Sequence, residues 1–181
     1  MSRILVTGAS GFVGRAVIAG LAESGQTVRA AVRRPPAPPF AAAVEVAEHG
    51  DLAATVDWRP LLAEVDQVVH LAGIAHSGRH TAPELYDRVN RDATAQLARA
   101  AAQAGVRRLV FVSSIRAQVG SFADHALTED DPAAPTNAYG RSKLAAEAAI
   151  RDAGAPFTIL RPVLLYGPGV KGNFALLMRA V

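Results

Sequence analysis

The sequence predicts an α/β fold, a Rossmann-type doubly wound parallel sheet with helices on both faces. Three observations predict it. Short Val/Ile/Leu-rich runs alternate with longer amphipathic stretches, the pattern of βαβ units. A glycine-rich turn joins the first such run to the first helix-like stretch. The 181 residues, half of them hydrophobic, suffice for one well-packed domain. Residues 1–181 are therefore read as a single domain.

Residues 4–7 are a short apolar run ending at Gly8. Residues 12–24 have helical spacing, with Val13, Val17, Ile18 and Leu21 on one face and Ser24-Gly25 as the stop. Residues 27–32 form a second strand. The next loop, residues 33–39, holds four prolines, which lack the N–H that a strand or helix interior needs. Residues 44–47 are a weak third strand. Residues 53–64 read as a helix interrupted near Pro60. Residues 67–71 are a buried strand, and residues 83–104 a long amphipathic helix stopped by Gly105. A strand at 108–112, a helix at 136–152 and a strand at 157–160 come next. Residues 173–181 open a further helix.

Composition excludes several function classes. Without cysteine there is neither a disulfide framework nor thiolate chemistry, which fits a reducing cytoplasm. No signal-peptide pattern precedes the first strand, and no apolar run is long enough to span a bilayer. The formal charge of +3 and pI of about 9.8 are read as a mild excess of solvated arginine. The basic residues are scattered and do not interleave with aromatics, so no nucleic-acid partner is expected.

The turn reads Thr7-Gly8-Ala9-Ser10-Gly11-Phe12-Val13-Gly14. Its context carries more weight than its glycines. A turn leaving a parallel strand aims helix N-terminal N–H groups and the positive dipole end at a phosphate. Gly8, Gly11 and Gly14 permit the tight turn, close approach of a pyrophosphate, and packing of helix on strand. The spacing is G-x-x-G-x-x-G, unlike the commoner G-x-G-x-x-G. Ser10, Phe12 and Val13 complete the candidate phosphate site. A nicotinamide dinucleotide is the expected ligand. An acid ending the second strand would favour NAD, but the sequence there reads Val32-Arg33-Arg34. Arg33 and Arg34, helped by Arg15, can pair with a 2′-phosphate or be solvated loop residues. NADP is the preferred reading, with NAD still open. Asp51, beside Leu52, either accepts from the adenine amino group or caps the helix after it.

Five segments together resemble the extended short-chain dehydrogenases/reductases, within them the NAD(P)-dependent epimerase/dehydratase group acting on nucleotide sugars. They are the glycine turn, Val69-His70-Leu71-Ala72-Gly73, Phe111-Val112-Ser113-Ser114, Tyr139-Gly140-Arg141-Ser142-Lys143, and Leu160-Arg161-Pro162 with Tyr166-Gly167-Pro168-Gly169 after it. The resemblance spans essentially the whole chain. It implies that Tyr139 and Lys143 are the catalytic pair, with Lys143 also holding the nicotinamide ribose. It implies a third member, Ser114 with Ser113 as alternate, that hydrogen-bonds the reacting oxygen. Pro162, Leu71, Ala72 and Gly73 would flank the cofactor, although Ala72-Gly73 can also be simple packing.

Physical chemistry bears on the pair independently. Positions i and i+4 share a helix face, and an ammonium beside a phenol favours the phenolate. Such a tyrosine can take a proton from a sugar hydroxyl while hydride leaves the same carbon. The residue 115–120 loop departs from the common family pattern in length and in lacking its tyrosine. Asn90 resembles a family asparagine supporting the neighbouring strand–loop backbone, or is solvated. Trp58 is read as a packing residue. His76 and His80 are four apart, but the Ser-Gly between them argues for a loop, and no metal site is expected.

The expected reaction oxidises a nucleotide-sugar hydroxyl to a ketone. The ketone is then re-reduced, dehydrated or released. The alternative is a non-catalytic NAD(P)-binding regulatory or scaffold protein. The resemblance also implies a longer chain, whose continuation forms most of the sugar pocket, and a homodimer through the Tyr139 helix and its long neighbour. A chain of this length is expected to bind cofactor and to hold substrate poorly.

Overall fold

Among the described residues six parallel strands, β1 (Arg3–Thr7), β2 (Thr27–Val32), β3 (Glu45–Glu48), β4 (Gln67–His70), β5 (Arg108–Val112) and β6 (Phe157–Leu160), form one sheet. Their order is β3-β2-β1-β4-β5-β6. The computed structural model describes residues 2–75 and 81–170. His76, His80 and the helix expected at 173–181 lie outside them. The strand order reverses between β1 and β4. That crevice, at the C-terminal ends of the strands, is where open α/β sheets bind ligands.

The central strands are covered on both faces and read as largely apolar runs, whereas the edge strands β3 and β6 are partly exposed. On one face Ile4, Val6, Val28, Ala30 and Val32 pack with Ile18, Val17 and Leu21 of α1 (Phe12–Glu23). On the other, Leu5, Val68, Leu109 and Phe111 meet Ala93, Leu97, Ala98 and Ala101 of α4 (Ala93–Gln103) and Ala146 and Ile150 of α5 (Ala138–Asp152). Alternate residues of each strand thus serve different layers.

Two elements differ from the sequence-based expectation. The helix expected at 53–64 is only one turn, α2 (Arg59–Leu62). Pro60 opens it rather than interrupting it, because a missing N–H costs nothing in a helix's first turn. The buried Arg29 ends it. Its Nη1 donates to the carbonyls of Leu61 (2.7 Å) and Ala63 (2.9 Å), while Nε pairs with Glu45 at 2.8 Å. The long helix is continuous, but α3 (Pro83–Tyr86) passes through a π-helical turn, Asp87–Asp92, before α4. π turns inside α-helices recur at functional positions, and this one carries Asn90.

Candidate active site

The glycine turn is a backbone-lined cradle. Gly8 has φ +66°, and a Cβ there would stand 2.7 Å from the Ala72 nitrogen. Gly14 presses α1 onto the turn, where a Cβ would overlap the Gly8 carbonyl and come within 2.7 Å of the Ala9 oxygen. Gly11 is exposed and is the N-cap of α1, with no side chain capping the helix. The first-turn N–H groups of Phe12, Val13 and Gly14 therefore lack an i−4 partner and a side-chain cap. Free N–H donors, a positive dipole end and an absent Cβ fit a pyrophosphate. Ser10 is exposed at the rim.

The neighbouring segments are arranged around this edge. Leu71 is half-buried, Ala72 buried and Gly73 exposed, after β4. Asp51 is exposed, and its Oδ1 accepts from the Ala53 N–H at 2.9 Å, so it does cap the turn after it. Leu52 is buried in the α4–α5 core. Arg33 and Arg34 are exposed beyond β2. Arg15 is engaged elsewhere: its Nη2 donates to the Pro38 carbonyl at 2.9 Å and its guanidinium lies 5.3 Å over the Phe40 ring. The proline loop thus holds the arginine expected to assist Arg33 and Arg34.

Asn137 starts α5 by accepting the Gly140 N–H at 2.7 Å. This presents Tyr139 and Lys143 on the face turned to the sheet. Gly140 lets α5 close on the 3₁₀ turn Ile115–Ala117, because a Cβ there would overlap the Arg116 carbonyl. The two serines ending β5 diverge, as strand alternation requires. Ser113 donates to Glu147 at 2.5 Å, inside the protein. Ser114 lies beside the Tyr139 phenol, whose pKa it lowers, and its Oγ accepts the Arg116 N–H at 3.2 Å, capping the 3₁₀ turn. Pro162 closes the same rim, its carbonyl accepting the Ile115 N–H at 3.1 Å.

Lys143 is buried. Its Nζ donates to the Val112 carbonyl at 2.8 Å and lies 4.2 Å from the Phe111 ring centroid. Burial draws its pKa down to about 8, which Glu147 partly offsets. The Tyr139 phenol is pushed above its ordinary value by burial, against the Ser114 hydrogen bond that lowers it. This departs from the expected tuning by Lys143. The ammonium is committed to Val112 and Phe111, so desolvation governs the phenol.

Of the supports of this site, sequence reasoning missed Glu147 and gave Asn90 as one of two readings. Glu147, one helical turn beyond Lys143, is fully buried and takes Arg161 Nε at 2.9 Å and Nη2 at 2.6 Å. Its carboxyl is held below the usual range by Arg161 and Ser113 against the cost of burial. The i+4 spacing from Lys143 was the available signal. Asn90 is buried. Its Oδ1 accepts the Ile74 N–H at 2.8 Å, and its Nδ2 donates to the Ile74 carbonyl (3.0 Å) and the Ser142 hydroxyl (3.1 Å). That excludes the solvated reading. Trp58 is buried in the core. Among the described residues no group of three or more His, Asp or Glu could hold a metal ion, and no helix is long and apolar enough to cross a membrane.

The family model for the NAD dependent epimerase/dehydratase family matches residues 4–180. The chain belongs to that family. It is 38% identical over 187 residues to a UDP-glucose 4-epimerase of Vibrio cholerae, covering 98% of this chain and 56% of that protein. It is 34% identical to a ceramide reductase of Caulobacter vibrioides, covering 92% of this chain and 47% of that one. Among solved structures it superposes with TM-score 0.84 and 34% identity on MoeE5 in complex with UDP-glucose and NAD, covering 99% of this chain and 60% of that chain. UDP-glucuronic acid 4-epimerase from Bacillus cereus in complex with NAD gives TM-score 0.78 at 26% identity, covering 92% and 58%. The chain spans about half the length of the curated relatives it matches.

Proposed function

We propose that this family member binds a nicotinamide dinucleotide across the β1–β4 crevice and oxidises a nucleotide-sugar hydroxyl to a ketone, which is then re-reduced or dehydrated. The observation that carries the proposal is the meeting of Ser114 and Tyr139 beside the buried Lys143, at the same edge of the sheet as the glycine cradle. The nicotinamide, when bound, accepts the hydride from the sugar carbon and can return it.

The protein's own groups do the rest. Tyr139 would accept the sugar hydroxyl proton as the phenolate, and Ser114 would donate to the same oxygen. Burial disfavours that phenolate in the free protein, and the positive ring of a bound oxidised nicotinamide would favour it. Lys143 holds the nicotinamide ribose. Gly8, Ser10, Gly11, Phe12, Val13 and Gly14 cradle the pyrophosphate, and Asp51 and Leu52 flank the adenine. Leu71, Ala72, Gly73 and Pro162 line the remaining backbone edge. Exposed Arg33 and Arg34, with no acid ending β2, favour the 2′-phosphorylated dinucleotide. A cytoplasmic homodimer through α4 and α5 belongs to the same proposal.

Titration with NAD and NADP, and then incubation with UDP-glucose, tests it. Both dinucleotides should bind, NADP more tightly; sugar conversion by a chain of this length should be slow, and Tyr139→Phe should keep dinucleotide binding while removing what conversion there is. Absence of binding by either would overturn the reading. Tight NAD binding with no NADP binding would remove the role given to Arg33 and Arg34.

A further inference from the structure

A line of buried polar side chains joins the glycine turn to the helix carrying Tyr139 and Lys143. Thr7 and His70 are register partners at the C-terminal ends of β1 and β4, both fully buried. Thr94 on α4 and Asn90 in the π turn are each 1% exposed. His70 also stacks on Phe111, ring centroids 5.5 Å apart, and Phe111 lies under the Lys143 ammonium. The reaction proposed above makes no use of His70.

Counting donors places every hydrogen along this line. The Thr94 hydroxyl stands 2.6 Å from the Asn90 carbonyl, which has no hydrogen to give, so Thr94 donates there. His70 Nε2, 2.8 Å from the same hydroxyl, must then be the donor in that contact. Burial keeps the ring neutral, with a pKa of about 3, so Nδ1 is bare. Thr7 lies 2.6 Å from Nδ1 and donates to it, while its oxygen accepts the Ala72 N–H at 3.2 Å. Beyond Thr94, Asn90 grips both backbone groups of Ile74 and donates to Ser142, whose hydroxyl donates to the Tyr139 carbonyl at 2.8 Å. Each group has a partner only with His70 as the Nε2–H tautomer.

The π turn gives this line its purpose. A turn wider than α is uncommon and needs support. Thr94 bonds back to the carbonyl four residues before it, and His70 fixes the Thr94 hydroxyl in that direction. We propose that His70 is a positioning residue that locks the π turn through Thr94, sets Asn90 between Ile74 and Ser142, and so couples the glycine turn to the Tyr139 helix. Its expected effect on dinucleotide affinity rests on the cofactor reading above; its hold on Ile74 does not.

The test uses amide hydrogen exchange and NADH titration on the full chain. The Ile74 N–H reports directly on Asn90. Loss of one buried hydrogen bond corresponds to about a tenfold change. His70→Phe should speed Ile74 exchange by about that factor while leaving Val6, in the other core cluster, protected. Thr94→Val should do the same from the far end of the link, without changing the ring. His70→Gln, which can place a donor near the Nε2 position, should restore much of the protection. NADH affinity should fall in His70→Phe and in Ser142→Ala, and the double variant should lose less than the product of the two losses.

Unchanged Ile74 exchange in both His70→Phe and Thr94→Val would overturn the proposal, as would multiplicative losses of affinity. If the unmodified chain binds no NADH, the cofactor reading falls, and Ile74 exchange alone still decides the role of His70.

Discussion

The two halves of the candidate site are built in opposite ways. The glycine turn is shaped by atoms that are missing, because neither Gly8 nor Gly14 has room for a Cβ. The Tyr139 half is shaped by atoms that are present and buried: Lys143, Glu147, Asn90, His70 and Ser113. Adding a carbon should break the first half, and removing a polar group should break the second. The contrast fits the task proposed for each half. An anion is held by backbone N–H groups, which need close approach. A proton-handling phenol needs a fixed orientation in a dry setting, which needs partners.

The largest effect is expected for Gly14→Ala. Alanine favours a helix over glycine by about 1 kcal/mol. Here that gain is outweighed, because the new methyl would meet two backbone oxygens that cannot move without unwinding the turn. A net loss of about 3 kcal/mol is expected, with loss of dinucleotide binding. Denaturant unfolding and cofactor titration measure the two parts. Glu147→Ala is the matching break on the other side. It strands Arg161 and the Ser113 hydroxyl, removing a carboxylate that is 0% exposed. Arg161 keeps some contact with solvent, which moderates the cost to about 2–3 kcal/mol. The same variant should disturb Tyr139, because Glu147 links α5 to the ends of β5 and β6.

These halves were unequally legible. Strands 27–32, 108–112 and 157–160 are bounded as the sequence predicts, because short runs rich in Val, Leu, Phe and Ala between turn residues mark the strands of such a sheet, even with Arg29 inside one of them. The glycine turn is readable because its chemistry is local. Ser114 was separable from Ser113 in principle, since alternation sends neighbours to opposite faces. The support behind the pair does not show in the sequence. Thr7 and His70 are 63 residues apart, and Asn90 and Ser142 are 52 apart. No local pattern marks such links, and none marks the π turn. Pro60 misled for a local reason: proline both ends and begins helices, and only Arg29 shows which.

Acid sharpens the comparison without a mutation. His70 has a folded pKa of about 3 against 6.5 when exposed. Between these values the unfolded chain binds a proton that the folded chain refuses, so stability falls as pH falls. The limit is about 1.4 kcal/mol per pH unit below about 6.5. Glu147, whose carboxyl is held low, adds a further loss below the ordinary carboxylate range. The partly buried His49 is also lowered and contributes in the same direction, whereas exposed His125 is raised and opposes it. Unfolding midpoints measured from pH 7 to pH 5 should drop for the unmodified protein. They should drop less for His70→Gln, which has no group to protonate there. An unchanged slope in that variant would place the acid sensitivity elsewhere.

The smallest effect on stability is expected for Gly11→Ala, and it separates folding from binding within one motif. Gly11 has an ordinary extended backbone, φ −73° and ψ 172°, which alanine adopts freely. A Cβ there would meet only the Gly8 carbonyl, at 3.1 Å, on the exposed side of the turn. A shift of a few tenths of an ångström relieves that contact, so the stability cost should stay below about 1 kcal/mol. The new methyl would nevertheless occupy the mouth of the N–H cradle, where a pyrophosphate must come closest. Unfolding should therefore be nearly unchanged while dinucleotide affinity falls by about tenfold or more. Gly14→Ala would lose both properties together. If Gly11→Ala instead binds NAD and NADP as tightly as the unmodified chain, the cradle is a folding device and the pyrophosphate lies elsewhere.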